Sequence, residues 1–215
     1  KLSKIYSKYN NLMYLTLGVH PHNASEFKNY SSAELSKLVE KHSPSAIGEI
    51  GLDFYRNISS FDEQIFAFEE QIKIAIKKNL PLYLHQRDSH KDFINILEKY
   101  KGYYTKAVVH CFTGTKKELD DYLNLDCSIG ITGWICDKER NKNLRKTIKN
   151  IPLSSLMIET DCPYLTPKNM DIKPKNNRNE PKYLNHIVRE ISNIMNVDES
   201  IIRKTTFENT QAFFN

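Results

Sequence analysis

Four apolar runs in this 215-residue chain end on a carboxylate or an imidazole. Ala46-Ile47-Gly48-Glu49-Ile50-Gly51-Leu52-Asp53 sets Glu49 among glycines, Pro81-Leu82-Tyr83-Leu84 leads to His85, Ala107-Val108-Val109 to His110, and Leu156-Met157-Ile158-Glu159-Thr160 to Asp161. A charged side chain beside a buried strand is costly to desolvate, and a bound cation is the commonest compensation. Glu49, His85, His110 and Asp161 are therefore the candidate metal ligands. Mixed imidazole and carboxylate donors suit zinc or manganese, while an all-oxygen set favours magnesium, so Zn, Mn and Mg all stay open. The chemistry such a set supports is metal-assisted hydrolysis, with Asp161 the best candidate for general base.

Each of these residues has a plainer rival reading. Glu49 could pair with an arginine, His85 and His110 could be satisfied core histidines, and Asp161 could cap the following turn. Two histidines at equivalent strand ends favour the ligand reading. His20, in Gly18-Val19-His20-Pro21-His22, is a candidate acid or substrate-positioning group, and a structural turn at Pro21 is its equal competitor. Arg87 and Arg178 have the planar fork that grips phosphate, although either could pair with Asp53 or Glu159. Tyr164 and Trp134 offer rings on which a base could stack. The lysines from Lys168 to Lys175 read as solvated loop charges or as contacts to a polyanion.

The elements that must hold these residues alternate between strand and helix, which argues for a parallel α/β architecture. Strands are expected over Leu12 to Val19, ending at Glu49, His85, His110 and Asp161, and over Cys127 to Ile131. Capping-box spacing at Ser31 and Glu34, Ser60 and Glu63, and Thr115 and Glu118 marks three helix starts. The second of these helices carries Phe61, Ile65, Phe68, Ile72 and Ile76 at three- and four-residue steps. Asp88 and Asp137 are expected to begin two more helices, the latter with Leu144 and Ile148, and Thr205 with Glu208 to cap the last. After Asp161 a long polar loop runs to Glu180-Pro181, where proline fits a first helical turn.

Composition allows one substantial core: 40% of residues are hydrophobic and 27% charged, and one domain over residues 1–215 is expected. A net charge of +5 permits a polyanionic partner without requiring one. No apolar run approaches the roughly 20 residues that cross a bilayer, and the polar start from Lys1 to Asn11 lacks the apolar middle of a signal peptide. The expectation is a cytoplasmic protein without a membrane partner, monomeric by default. The four cysteines form no structural-zinc pair and read as reduced thiols. Cys111 and Cys162, each following a proposed ligand, are expected to face away from the site.

Taken in order, Gly18-Val19-His20-Pro21-His22, Ala46 to Phe54, His85-Gln86-Arg87-Asp88, His110-Cys111-Phe112-Thr113-Gly114, Glu159 to Leu165 and Arg178-Asn179-Glu180-Pro181 resemble the TatD family of metal-dependent deoxyribonucleases. The resemblance runs from about Leu12 to Phe214. It implies a TIM-barrel (β/α)8 type fold, of which six of the eight strand–helix units are apparent, and a hydrolase that cuts the phosphodiester bonds of DNA as an exonuclease. It also implies one or two divalent metal ions per chain, with Glu49, His85 and His110 binding one, and Glu49 with Asp161 contributing to the other. Arg87, Arg178 and Tyr164 become substrate-binding candidates, and Asp161 and His20 the catalytic ones. The family's N-terminal His-x-His pair has no counterpart before Gly18, so an N-terminally shortened barrel is the expectation. Two alternatives stay open: a related metal hydrolase such as an aminoacyl-tRNA deacylase, and a nucleic-acid-binding remnant impaired in catalysis.

Overall fold

A computed structural model describes residues 2–9, 12–28 and 31–215. Lys1, Asn10 and Asn11, part of the polar start, lie outside the described residues. The elements are α1 (Leu2–Tyr9), β1 (Thr16–Leu17), α2 (Ser31–His42), β2 (Ala46–Asp53), α3 (Phe61–Lys78), β3 (Leu82–Arg87), α4 (His90–Lys99), β4 (Ala107–Val109), α5 (Lys116–Asn124), β5 (Ser128–Ile131), α6 (Lys142–Thr147), β6 (Leu156–Ile158), α7 (Leu184–Met195) and α8 (Glu199–Phe214). The six strands form a sheet in sequence order, and the pairs β1–β2, β2–β3 and β5–β6 are parallel. This is the expected α/β alternation of the TIM-barrel type, with six strands among the described residues. Cα packing divides the chain into two compact units, Lys1–Val108 with Phe213–Asn215, and Val109–Ala212.

In the first unit β2 is buried at every residue except Glu49, which is half-buried, as expected of a parallel strand covered on both faces. Its Ile47, Ile50 and Leu52 are fully buried, as are Leu82 and Leu84 of β3, Phe68 and Ile72 of α3, and Phe93 and Leu97 of α4. Phe68 and Phe93 stack with centroids 5.2 Å apart. Each such side chain removed from water contributes about 1.5–3 kcal/mol. The ladder between β2 and β3 shifts register between Gly48 and Ile50, so Glu49 is an extra residue on its strand. Such a bulge re-aims a side chain, and the one re-aimed here is Glu49.

Helix α3 begins as the capping box requires, Ser60 and Glu63 each satisfying the other's backbone N–H. Its buried face, however, is rotated from the apolar stripe: Phe61 is exposed, while Gln64 and Gln71 are buried. Both glutamines are spent on backbone. Gln71 accepts the Val19 N–H at 2.6 Å and donates to the Val19 carbonyl at 3.1 Å. Gln64 accepts the Asp53 N–H at 2.8 Å and donates to the carbonyls of Asp53 and Ser59. One helix thereby fixes the chain just before His20 and the last residue of β2.

Several expected boundaries move. Strand β1 covers Thr16–Leu17 and not Leu12 to Val19, because Val19's backbone groups are taken by Gln71. Ser31 is the first residue of α2, and its hydroxyl accepts the Lys28 N–H rather than capping from outside. Asp88 adopts a left-handed φ of 52° and α4 starts after Ser89, whose hydroxyl donates to the Leu52 carbonyl.

In the second unit Leu119 and Tyr122 of α5, Ile129 and Ile131 of β5, Leu156 of β6, and Ile187 and Ile191 of α7 are buried. The Thr115–Glu118 capping box opens α5 as expected. Asp137 does not cap α6: its carboxylate accepts the N–H groups of Glu139 and Arg140 and pairs with Lys168 at 2.6 Å, and the helix starts after Asn141. Lys168 is thus an ion-pair partner whose side chain stays half exposed. Thr205 lies inside α8, and Asp198 serves at its start by accepting the Ser200 N–H at 2.7 Å. Pro181 opens a 3-10 turn that leads into α7.

Gln64→Ala is expected to strand the buried Asp53 N–H and lower stability by about 1–3 kcal/mol. Ser60→Ala, which removes only the cap of α3, is expected to cost about 1 kcal/mol. Urea melts of the three proteins check this order.

Candidate metal and active site

In the first unit three histidines and two carboxylates gather where β2 and β3 end. His85 Nδ1 lies 2.7 Å from Glu49 Oε1 and its Nε2 lies 3.4 Å from Asp53 Oδ2. That Nε2 is buried and has no hydrogen-bond partner among the described residues. His22 Nε2 sits 2.7 Å from Asp53 Oδ2, and the other oxygen of Asp53 accepts the Arg56 N–H at 2.8 Å. Asp53 is only 1% exposed. Burial opposes its ionisation, but the facing His85 imidazole and the hydrogen bonds from the Arg56 N–H and His22 outweigh that, and its pKa is held below the usual carboxylate range. Burial likewise disfavours the imidazolium of His85, yet Asp53 and Glu49 prevail and raise its pKa.

His20, Glu49 and His85 each offer a ligand atom, all within 4.8 Å of one another. The fit to a cation is chemical as well as spatial. Two carboxylates bracket an imidazole with an orphaned buried nitrogen, so the pocket favours positive charge at its centre. His20 has a separate constraint: its Nδ1 accepts the His22 N–H at 3.2 Å, which places its proton on Nε2, 3.6 Å from Glu49 Oε1. A proton on Nε2 suits a donor better than a ligand. Glycine is required at Gly51, where φ is 144° and a Cβ would stand 1.9 Å from the His85 carbonyl oxygen.

The second unit presents its own group. His110 is buried, with Nδ1 2.7 Å from Glu159 Oε2 and Nε2 3.7 Å from Asp161 Oδ1. His110, Cys111 and Asp161 form a second set whose potential ligand atoms lie within 4.8 Å of one another. Cys111 therefore does not face away. Strand β4 stops at Val109, Cys111 turns to a φ of 50°, and strand alternation no longer applies to it. Its sulfur is 3.4 Å from Thr132 Oγ1, and burial pushes the thiol up to about 11. The four cysteines are free thiols, as expected, and Cys162 is exposed.

The polar loop after Asp161 is pinned by a residue the sequence reading passed over. Asn179, 1% exposed, donates to the carbonyls of Thr160, Tyr164 and Leu165, and its N–H donates to the Pro163 carbonyl at 3.0 Å. This ties the chain next to Arg178 to the backbone at Tyr164; Arg178 is exposed and Tyr164 70% exposed. Asn177 takes the left-handed turn expected of an asparagine, with φ of 51°. Arg87 is exposed at the end of β3, opposite Asp53 in the ladder, and its guanidinium lies over the Tyr55 ring at 3.9 Å. Glu159 and Asp53 instead serve histidines. Glu159 follows β6 directly and lies two residues before Asp161, and that nearness to a candidate ligand was its signal in the sequence.

A folded His85 pKa above the unfolded value contributes stability that is complete below about pH 6.5 and is lost as pH rises through the folded value. Metal-free protein is therefore expected to lose stability from about pH 6.5 upward, and Asp53→Asn to show a smaller loss over the same range. Urea melts as a function of pH check the sign.

Comparison with known proteins agrees with this chemistry. The sequence profile of the family described as TatD related DNase matches residues 1–215. A relative from Pectobacterium carotovorum named 3'-5' ssDNA/RNA exonuclease TatD is 42% identical over 213 residues, 99% of this chain and 81% of the relative. One of the same name from Pantoea ananatis is 40% identical over 214 residues, with 100% and 81% covered. Among solved structures, the TatD homolog YJJV from Escherichia coli superposes with a TM-score of 0.89 at 26% identity, covering 100% of this chain and 81% of that one. A TatD family hydrolase from Entamoeba histolytica gives 0.86 at 31% identity, with 98% and 78% covered. The chain belongs to the TatD family of metal-dependent DNases and is a hydrolase of phosphodiester bonds.

Proposed function

We propose that this chain removes nucleotides from the 3′ end of single-stranded DNA or RNA, in a cytoplasmic setting where its thiols stay reduced. The observation that carries the reading is the His85 cradle, an imidazole with an orphaned nitrogen bracketed by Glu49 and Asp53. Glu49 and His85 in the first unit, and His110 and Asp161 in the second, are the proposed ligands of divalent cations. Their mixed donors favour zinc or manganese over magnesium. A bound cation of this kind supplies charge compensation for phosphoryl oxygens and a hydroxide nucleophile at neutral pH.

The remaining work falls to the chain's own groups. Asp161, a partly exposed carboxylate, is proposed to take the proton from the attacking water. His20, with its proton on Nε2, is proposed to donate a hydrogen bond or a proton to substrate oxygen. Arg87 offers a guanidinium steadied on Tyr55, and Arg178 a second one, for the phosphates of the strand. The exposed ring of Tyr164 offers a stacking face for a base. These assignments match a substrate recognised by backbone charge and stacking more than by sequence.

The test is a time course on 5′-labelled single-stranded DNA and RNA after chelation and addition of zinc, manganese or magnesium. Stepwise shortening from the 3′ end that depends on added metal is expected; internal cuts, or cleavage in chelator, would overturn the reading. Glu49→Ala and Asp161→Asn are expected to lower turnover by at least about 100-fold, whereas His42→Ala, at the end of α2, should leave it unchanged. Wild-type turnover in either site variant sinks the assignment.

A further inference from the structure

Strand β6 leads into two carboxylates, and the function proposed above uses only Asp161. Glu159 divides its two oxygens: Oε2 lies 2.7 Å from His110 Nδ1, and Oε1 accepts the Cys111 N–H at 2.7 Å. An ionised carboxylate can only accept. The amide brings one hydrogen, so the ring must bring the other on Nδ1. Neutral His110 is thereby held as the Nδ1–H tautomer, and the lone pair falls on Nε2, the nitrogen 3.7 Å from Asp161 Oδ1.

The surrounding backbone is shaped for this contact. Cys111 takes its left-handed φ of 50° immediately after His110, and from there its N–H reaches Oε1. Glu159 itself is tied to β5 through its N–H, which donates to the Ile131 carbonyl at 3.1 Å. On that strand a Cβ at Gly130 would stand 2.2 Å from Glu159 Oε1 and 2.8 Å from its Cδ. What glycine supplies at this position is room for the carboxylate.

We propose that Glu159 is a positioning residue for His110, locking its tautomer and ring plane so that Nε2 faces a divalent cation, with Gly130 as the space that admits the carboxylate. The proposal rests on the reading of His110 as a metal ligand. A carboxylate behind a ligating histidine raises its basicity and fixes its orientation, and loss of such a partner costs about 10–100-fold in metal affinity. Glutamine is the informative replacement because its single oxygen can serve one of the two donors only. With the oxygen on the Cys111 N–H, its NH2 faces Nδ1, and the proton must move to Nε2.

The experiment compares the full chain with Glu159→Gln, Gly130→Ala and His110→Ala. Nitrogen shifts of labelled histidine are recorded on metal-free protein at a pH where the ring is neutral, and zinc binding is measured by calorimetric titration. His110 should be Nδ1–H in the parent chain and Nε2–H in Glu159→Gln, with zinc affinity about 10–100-fold weaker. Gly130→Ala, which displaces the carboxylate without removing its charge, should weaken zinc in the same direction and carries the test if Glu159→Gln does not fold. An Nε2–H ring in the parent chain, or an unchanged tautomer in Glu159→Gln, overturns the proposal. Weakened zinc in His110→Ala but parental affinity in Glu159→Gln also overturns it while leaving the ligand reading intact. Parental zinc binding in His110→Ala instead removes the ligand reading beneath it.

Discussion

A carboxylate buried at the end of an apolar strand must be compensated on every side, and in the first unit that constraint falls on Asp53. Its oxygens are served by His22, His85 and the Arg56 N–H, and its own backbone N–H and carbonyl by Gln64. Because the compensation comes from imidazoles and not from a lysine or arginine, positive charge at this point is conditional. It arrives with a proton or a cation, and departs with it. A permanently cationic partner would satisfy Asp53 equally well and leave no room for metal chemistry.

The second unit meets the same demand with a different arrangement. There the buried imidazole, His110, has Glu159 on one nitrogen and Asp161 nearer the other. In both units a histidine stands between two carboxylates, and in both the neighbouring backbone leaves the regular ladder, by the extra residue at Glu49 and by the left-handed turn at Cys111. Regular strand geometry would send alternate side chains to opposite faces. Irregularity at these points is what lets adjacent residues serve one place, and sparsely populated backbone conformations of this kind gather at functional sites.

Much of this was legible in the chain, and the reason is locality. The Ser60–Glu63 and Thr115–Glu118 boxes depend on three-residue spacing alone, and both form. The strand ends bearing Glu49, His85 and His110 follow from apolar runs meeting a polar residue. What was hidden depends on distant partners. Gln64 and Gln71, seven apart on one helical face, look like surface residues until Asp53 and Val19 are seen to need them. Asp88, Asp137 and Thr205 have the right chemistry for a helix start, but a left-handed turn, the lysine at 168 and the longer α8 claim them first. Strand alternation predicts the wrong side for Cys111 because its strand ends two residues earlier.

The two glutamine clamps on α3 also bear on how the first unit assembles. Gln64 reaches Asp53 and Ser59 across sequence separations of 11 and 5 residues, and the helix itself starts from a self-contained capping box. Contacts this short in sequence close small loops and form early, whereas the reach of Gln71 back to Val19 spans 52 residues. The segment from β2 through α3 therefore has the makings of a nucleus in which the end of β2 at Asp53 is fixed early, and the histidine turn at His20 is recruited to it afterward.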